Sequence, residues 1–177
     1  MADTALLIID IQNDYFHGGA MELEGADAAA TKAAQALKSF REKKQPIFHI
    51  RHLSVRPGST FFLPGTRGAE IHAAVSPQAG EKVIEKNFPN SFRATSLQEE
   101  LKGIKNLVVA GMMTHMCVDA SVRHAADLGY KITLLGDACA TRAQKIAGET
   151  VPARQVHLAF LAALNGFYAK VIDSHEL

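Results

Sequence analysis

Short apolar runs and amphipathic stretches alternate along the chain from one end to the other. Ala5-Leu-Leu-Ile-Ile9 is a continuous apolar run, the pattern of a strand buried on both faces. Between Ala26 and Lys44, apolar residues recur at Ala26, Ala29, Ala33, Leu37 and Phe40, which predicts an amphipathic helix that Pro46 stops. Ile47 to Ile50 reads as a second strand, and Leu107 to Ala110, bounded by Gly111, as another. Between them lie a short strand at Val83 to Glu85 and a short helix near Ser96 to Lys102. Val118, Val122, Ala125 and Leu128 return at helical spacing, with Gly129 placed to end the helix. Ile132 to Leu135 is a strand bounded by Gly136-Asp137, Val156, Phe160, Ala163 and Phe167 form a last helical stripe, and Ala169 to Ile172 form a final strand.

Strands alternating with helices imply an α/β fold, a doubly wound parallel sheet with helices on both faces. Leu53 to Gly80 is rich in Pro and Gly and has little periodicity. Loops of that length are usually functional or mobile. Neither a repeat nor a linker interrupts the pattern, so residues 1–177 are expected to form a single domain.

Composition narrows the function. A formal net charge of +1 argues against a nucleic-acid or membrane-surface partner. No apolar run reaches the ~20 residues that cross a bilayer. Met1-Ala2-Asp3-Thr4 lacks the basic start of a signal peptide, so a cytoplasmic protein is expected. Two cysteines do not make a disulfide framework. The glycine-rich phosphate-binding patterns GxGxxG and GxxxxGK[ST] do not occur, which disfavours a nucleotide site of either kind.

In open α/β sheets, ligands bind beyond the carboxyl ends of the strands. Asp10 follows the first strand, with Gln12, Asn13, Asp14 and Tyr15 behind it. Lys86 follows the short strand near residue 84, and Cys117 lies in Gly111-Met-Met-Thr-His-Met-Cys117 after the strand that ends at Ala110. A base, a cation able to stabilise a thiolate, and a nucleophile thus converge on one sheet edge. Taken singly, each has a plain structural role open to it: a turn-capping Asp, a surface Lys, a small buried Cys.

The three segments resemble the motifs of the isochorismatase-like cysteine hydrolases, and the resemblance spans nearly the whole chain. Ile9-Asp10-Ile-Gln12-Asn13-Asp14 is similar to the family's aspartate motif, and Lys86-Asn-Phe-Pro-Asn-Ser91-Phe92 to its lysine segment. Gly111 to Ala120 resembles the nucleophile segment, and Asp137-Ala138 a later strand motif. The resemblance implies a three-layer sandwich around a six-stranded parallel sheet. It assigns Asp10 to proton transfer, Cys117 to attack on a carbonyl carbon with a thioester product, and Lys86 to holding the thiolate. It also implies a cis peptide before Met113, with the N–H groups of Met113 and Cys117 facing the oxyanion. The substrate would be a small molecule, an amide or N-carbamoyl compound cleaved at a C–N bond. The alternatives are a vinyl-ether hydrolase that works without the cysteine, a metal-dependent nicotinamidase, and a non-catalytic flavodoxin-like binding domain.

Further residues are candidates for lesser roles. A free thiol titrates near 8.5, and a lysine about 4 Å away would stabilise its thiolate by roughly 4 kcal/mol at an effective dielectric of 20. Lys86 is therefore expected to be the dominant activator of Cys117, ahead of the helix start and against burial and Asp10. Gln12, Phe16, Phe88 and Phe92 are candidates for the substrate pocket, with Phe61 a further apolar wall. Arg51, Arg56, Arg67 and Arg93 are each able to bind a carboxylate, although solvated arginines need no such role. Nicotinamidases of this family place an Asp-x-His element after the second strand. Here His49-Ile-Arg51-His52 has an arginine where a carboxylate ligand belongs, so His49, His52 and His72 are not expected to hold a metal, and no cofactor is called for. Cys139 reads as a buried structural thiol. The last helix is apolar over most of its circumference, from Ala153 to Leu164, which leads us to expect a homodimer or higher homo-oligomer.

Overall fold

A computed structural model describes residues 3–177; Met1 and Ala2, part of the stretch read above as lacking a leader, lie outside them. Six strands form one parallel sheet in the order β3-β2-β1-β4-β5-β8: β1 Thr4–Ile9, β2 Ile47–His52, β3 Lys82–Lys86, β4 Asn106–Met112, β5 Lys131–Ala140 and β8 Lys170–Ile172. The chain runs outward from β1 through β2 to β3, then returns across to β4 on the other side of β1. Strand order therefore reverses between β1 and β4, and a crevice opens there at their carboxyl ends.

Strand β1 shows why the sheet is central. Leu6 and Ile8 point to one face, where they pack with Ala29, Ala33, Leu37 and Phe40 of α1 (Ala26–Glu42). Ala5, Leu7 and Ile9 point to the other, against Val122 and Ala125 of α3 (Asp119–Asp127) and Leu164 of α4 (Ala153–Leu164). Each of these β1 residues is at most 2% exposed, as expected for an apolar run buried on both sides. A short α2 (Leu97–Glu100) closes the second layer with Leu97 and Leu101. Among the described residues no helix is long and apolar enough to cross a membrane.

Besides α4, which ends at Leu164 and leaves Phe167 of the expected helical stripe outside the helix and 86% exposed, the chain departs from the sequence pattern in two places. Strand β5 does not stop at Gly136-Asp137 but runs on to Ala140, with a bulge against β4 between Val109 and Gly111. Gly136 is there because α4 packs on it: a Cβ would lie 3.0 Å from Leu161 Cδ1. The second departure is a hairpin, β6 (Gln144–Ile146) and β7 (Glu149–Val151), turned by Ala147 and Gly148 at φ 51° and 82°. Positive φ at both turn positions matches the twist of a two-residue hairpin. Ala-Gly is a weaker signal than Asn-Gly, and the strands are too short to show alternation.

On α4, Ala153, Val156 and Leu164 are buried, whereas Leu158 is 49% exposed and Ala159, Ala162 and Ala163 face outward. The chain's own core covers only part of this apolar helix.

Candidate active site

Three local geometries bring the site together. Asp10 ends β1 in the left-handed region at φ 51°, a conformation that Asp tolerates better than most residues, and its side chain is fully buried. Lys86 is the last residue of β3 and is 1% exposed. Cys117 sits in a π-helical turn, Thr114–Val118, between β4 and α3, and is 4% exposed. Such wide turns recur at functional sites because they re-aim one side chain within a helix start. The Met112–Met113 peptide bond before the turn is cis. Gly111 lets β4 approach β1, since a Cβ there would lie 2.1 Å from the Ile9 carbonyl oxygen.

Lys86 Nζ is the centre of the cluster. It donates to Asp10 Oδ2 at 2.7 Å, to His52 Nδ1 at 2.9 Å and to Cys117 Sγ at 3.4 Å. An ammonium has three N–H groups, and each finds an acceptor here. The other carboxylate oxygen, Asp10 Oδ1, is buried and has no hydrogen-bond partner among the described residues.

His52 was not singled out as part of this cluster in the sequence; being the last residue of β2, next to β3 in the sheet, is the signal that could have found it. Burial, the nearby Lys86 ammonium and Arg56 bring its pKa down to about 4. The imidazole is therefore neutral near pH 7, and with Nδ1 accepting from Lys86 its proton sits on Nε2.

Ligand atoms of Asp10, His52 and Cys117 lie within 4.8 Å of one another, close enough to hold a cation. Lys86 is that cation. A metal bound there would have to displace a buried ammonium from all of its acceptors. The other histidines are elsewhere: His49 Nε2 faces Glu81 at 2.9 Å, and His72 stacks on Phe16 with ring centres 3.7 Å apart. Arg51 pairs with Glu85.

The charge balance corrects one expectation. Burial raises the Cys117 pKa above the ordinary thiol range, Asp10 raises it further, and Lys86 offsets only part of this. The sequence showed Lys86 as the dominant influence because the depth of the pocket is not visible there. Cys117 rests as a thiol. Burial alone would lower the Lys86 pKa, but Asp10 and Cys117 outweigh it and hold it raised, so Lys86 stays charged.

A cavity of about 200 Å³ opens onto the sulfur. Tyr15, His52, Arg56, Phe61, Phe62 and Met113 are among its walls, with Cys117. Of the Asp10, Lys86 and Cys117 trio, Cys117 alone reaches it. A larger depression of about 780 Å³ lies at the opposite end of the sheet, around Leu101 to Asn106 and Gly129 to Lys131, far from these groups.

The four residues expected to touch substrate do not line the cavity. Gln12 is fully buried, and its amide is spent on backbone: it donates to the His52 and Ala69 carbonyls and accepts from the His52 N–H. Phe16 stacks on His72 instead, and Phe92 packs in the core beside His124 and Tyr130. Phe88 lies under the Arg93 guanidinium, 3.8 Å from ring centre to Cζ.

Gln12 belongs to a clamp. Asn13 donates to the Arg67 carbonyl at 2.8 Å, and Asp14 accepts from the Phe62 N–H at 2.6 Å and the Ala20 N–H at 3.2 Å. Together these side chains pin the Leu53–Gly80 segment over the cavity and hold Phe62 at φ 55°. The polar residues after Asp10 thus build the roof of the site. Cys139 is buried, 6% exposed, and burial pushes its thiol up to about 12; it has the character of a structural cysteine.

Comparison with known proteins places the fold and the sequence in one family. The model of the isochorismatase domain family matches residues 4–176. An uncharacterized isochorismatase family protein of Bacillus subtilis is 51% identical over 170 residues, covering 95% of this chain and 94% of that protein. Nicotinamidase 3 of Arabidopsis thaliana is 29% identical over 187 residues, covering 98% and 86%. The crystal structure of an isochorismatase from Pseudomonas putida KT2440 superposes with a TM-score of 0.93 at 37% identity, over 99% of this chain and 90% of that one. Fold, switch-point crevice and sequence thus coincide, and the chain belongs to the isochorismatase family of hydrolases.

Proposed function

We propose that the protein is a cysteine hydrolase that cleaves a C–N bond of a small amide or N-carbamoyl compound through a thioester at Cys117. The observation that carries this is the position of Cys117 Sγ, at the cavity surface with the Lys86 ammonium 3.4 Å behind it. The similarity to a nicotinamidase supports an amide-type bond as the target.

Asp10 Oδ1, the free carboxylate oxygen, takes the thiol proton as substrate enters. The thiolate attacks the carbonyl carbon while Lys86 keeps its charge and stabilises the anion. In this reading the oxyanion is met by the N–H groups of Met113 and Cys117, two residues that line the cavity. Losing one donor of this kind costs about 2.7–4 kcal/mol. As the tetrahedral centre collapses, Asp10 returns the proton to the leaving nitrogen. A water deprotonated by Asp10 then releases the acid from the thioester. Lys86 already occupies the cation position, so no step calls for a metal.

The test is ammonia release from a panel of small primary amides and N-carbamoyl compounds by the wild type and by Cys117→Ala. Turnover by the wild type alone supports the proposal. Hydrolysis that survives in Cys117→Ala would contradict it and favour the vinyl-ether type of chemistry, which does not need the thiol.

A further inference from the structure

Of the four arginines that the sequence offers as carboxylate binders, the structure leaves one facing the cavity. Arg51 pairs with Glu85, Arg93 lies over the Phe88 ring, and Arg67 lines a separate depression with Phe16 and His72. Arg56 also approaches the Phe88 ring, but at 5.9 Å from its centre against 3.8 Å for Arg93; it lines the cavity in front of Cys117, and among the described residues it has no carboxylate partner. No Asp or Glu lines that cavity.

The remaining polar groups there favour the same kind of ligand. His52, neutral and bonded through Nδ1 to Lys86, offers its Nε2–H as a donor. Burial, Cys117 and Asp10 raise the Tyr15 pKa, which keeps it a phenol with a hydroxyl to donate. Asn87 has already committed its Nδ2 to the Leu53 carbonyl. Ser59 donates its hydroxyl to the Arg56 carbonyl, and the Ser54 hydroxyl is a third neutral group on the wall. The cavity thus offers one cation without a carboxylate partner and neutral donors from His52, Tyr15 and Ser54, and its volume of about 200 Å³ is below the usual ~300–1,000 Å³ of a ligand pocket.

We propose that this cavity selects small substrates that carry an anionic group, a carboxylate in the first place, and that Arg56 binds that group. The assignment deepens the hydrolase reading, since it names the class of amide or N-carbamoyl compound that fits. In the bound complex, Arg56 takes the carboxylate at the cavity mouth, and the scissile carbonyl lies inward beside Sγ. A guanidinium matches a carboxylate with paired N–H donors, which fixes orientation as well as attraction.

The experiment uses charged and neutral alkylating probes of equal size, so it does not depend on turnover. Cys117 labelling by iodoacetate and by iodoacetamide is followed by mass spectrometry in the wild type, Arg56→Met, Arg56→Lys and Arg67→Met. The expected result is a fall of about three- to tenfold in the iodoacetate-to-iodoacetamide rate ratio for Arg56→Met, the scale of one partly solvated charge pair. Arg56→Lys should keep part of the preference, and Arg67→Met should keep all of it. Added salt should erode the wild-type ratio toward that of Arg56→Met. An unchanged ratio in Arg56→Met would overturn the assignment, as would an equal fall in Arg67→Met. Where turnover is found, succinamate should be preferred over butyramide by the wild type, and Arg56→Met should lose that preference. If the ratio falls but no amide or N-carbamoyl compound is cleaved, the anion site stands and the C–N bond reading fails.

Discussion

Replacing Asp10 by Asn should make Cys117 more reactive toward an alkylating agent while abolishing turnover. Ligand atoms of Asp10 and Cys117 lie within 4.8 Å of each other, and Asp10 is second only to burial among the influences that raise the thiol pKa. At an effective dielectric of 20, removing one charge at that distance lowers the cost of the thiolate by roughly 3.5 kcal/mol, or about 2.5 pKa units. Lys86 acts in the same direction, because Asp10→Asn leaves its ammonium 3.4 Å from the sulfur without its carboxylate. The thiolate population at pH 7 then rises about 300-fold on that scale. A less basic thiolate is a weaker nucleophile, with a Brønsted slope of about 0.4–0.5, so the net gain in labelling rate falls to roughly 20–30-fold. Asn is also well suited to the left-handed backbone at this position, which favours a folded variant. Iodoacetamide labelling of Cys117 between pH 6 and 10, read by mass spectrometry, measures the rate and its rise with pH. Ammonia release from the same variant should fall by about 10²–10⁴, the usual range for a lost general base. Labelling of folded Asp10→Asn at or below the wild-type rate would refute the charge assignment.

His52→Gln should slow turnover by about tenfold or more, since a hydrogen bond to a charged group contributes about 1.5–3 kcal/mol. Wild-type activity should also fall reversibly as the pH drops through about 4, where His52 gains a charge facing Lys86, and a pH–rate profile of the variant should lack that limb. At the far end of α1, burial would raise the Glu81 pKa, but bonds from Arg41, the Gln78 N–H and His49 hold it down at about 2. Its folded pKa lies below the unfolded one, so its contribution is present above about pH 4.5 and lost as the pH falls toward 2. Acid unfolding followed by circular dichroism should therefore be shallower over that window in Glu81→Gln, and a wild-type profile with no slope there would contradict this. We further propose that the outward apolar face of α4, with Leu158 at its centre, is covered by a second copy of the chain. Light scattering should then give at least twice the 19.1 kDa chain mass, and a monomer mass at micromolar concentration would remove the idea.

Much of the fold was legible because the sheet is buried on both faces. Ala5 to Ile9, Leu107 to Ala110 and Ile132 to Leu135 have the short continuous apolar runs of interior strands, and the alternation with helices implied that they run parallel. Asp10, Lys86 and Cys117 were legible for a related reason: residues just after parallel strands converge at one edge whatever their side chains do. Side-chain direction was not legible. Gln12, two residues past Asp10, turns into the loop and satisfies the His52 and Ala69 backbone, and Phe16 turns further still to stack on His72. The balance of charges was also hidden. Coulomb attraction between a lysine and a thiol can be judged from a motif, but the depth at which both sit depends on the folded roof of Phe61 and Phe62. His52 escaped because its role comes from cross-strand pairing with β3 and not from any spacing within β2.

In the proposed reaction Cys117 forms a covalent thioester during turnover. Acid-quenched intact-mass spectrometry of the enzyme mixed with a cleaved amide tests it most directly. An adduct equal in mass to the acyl group should appear, mapped by digestion to the peptide holding Cys117 and removed by hydroxylamine. Asp10→Asn should show no such adduct under the same conditions, and Cys117→Ala should show neither adduct nor turnover. Amide hydrolysis at an undiminished rate by Cys117→Ala would contradict the account outright.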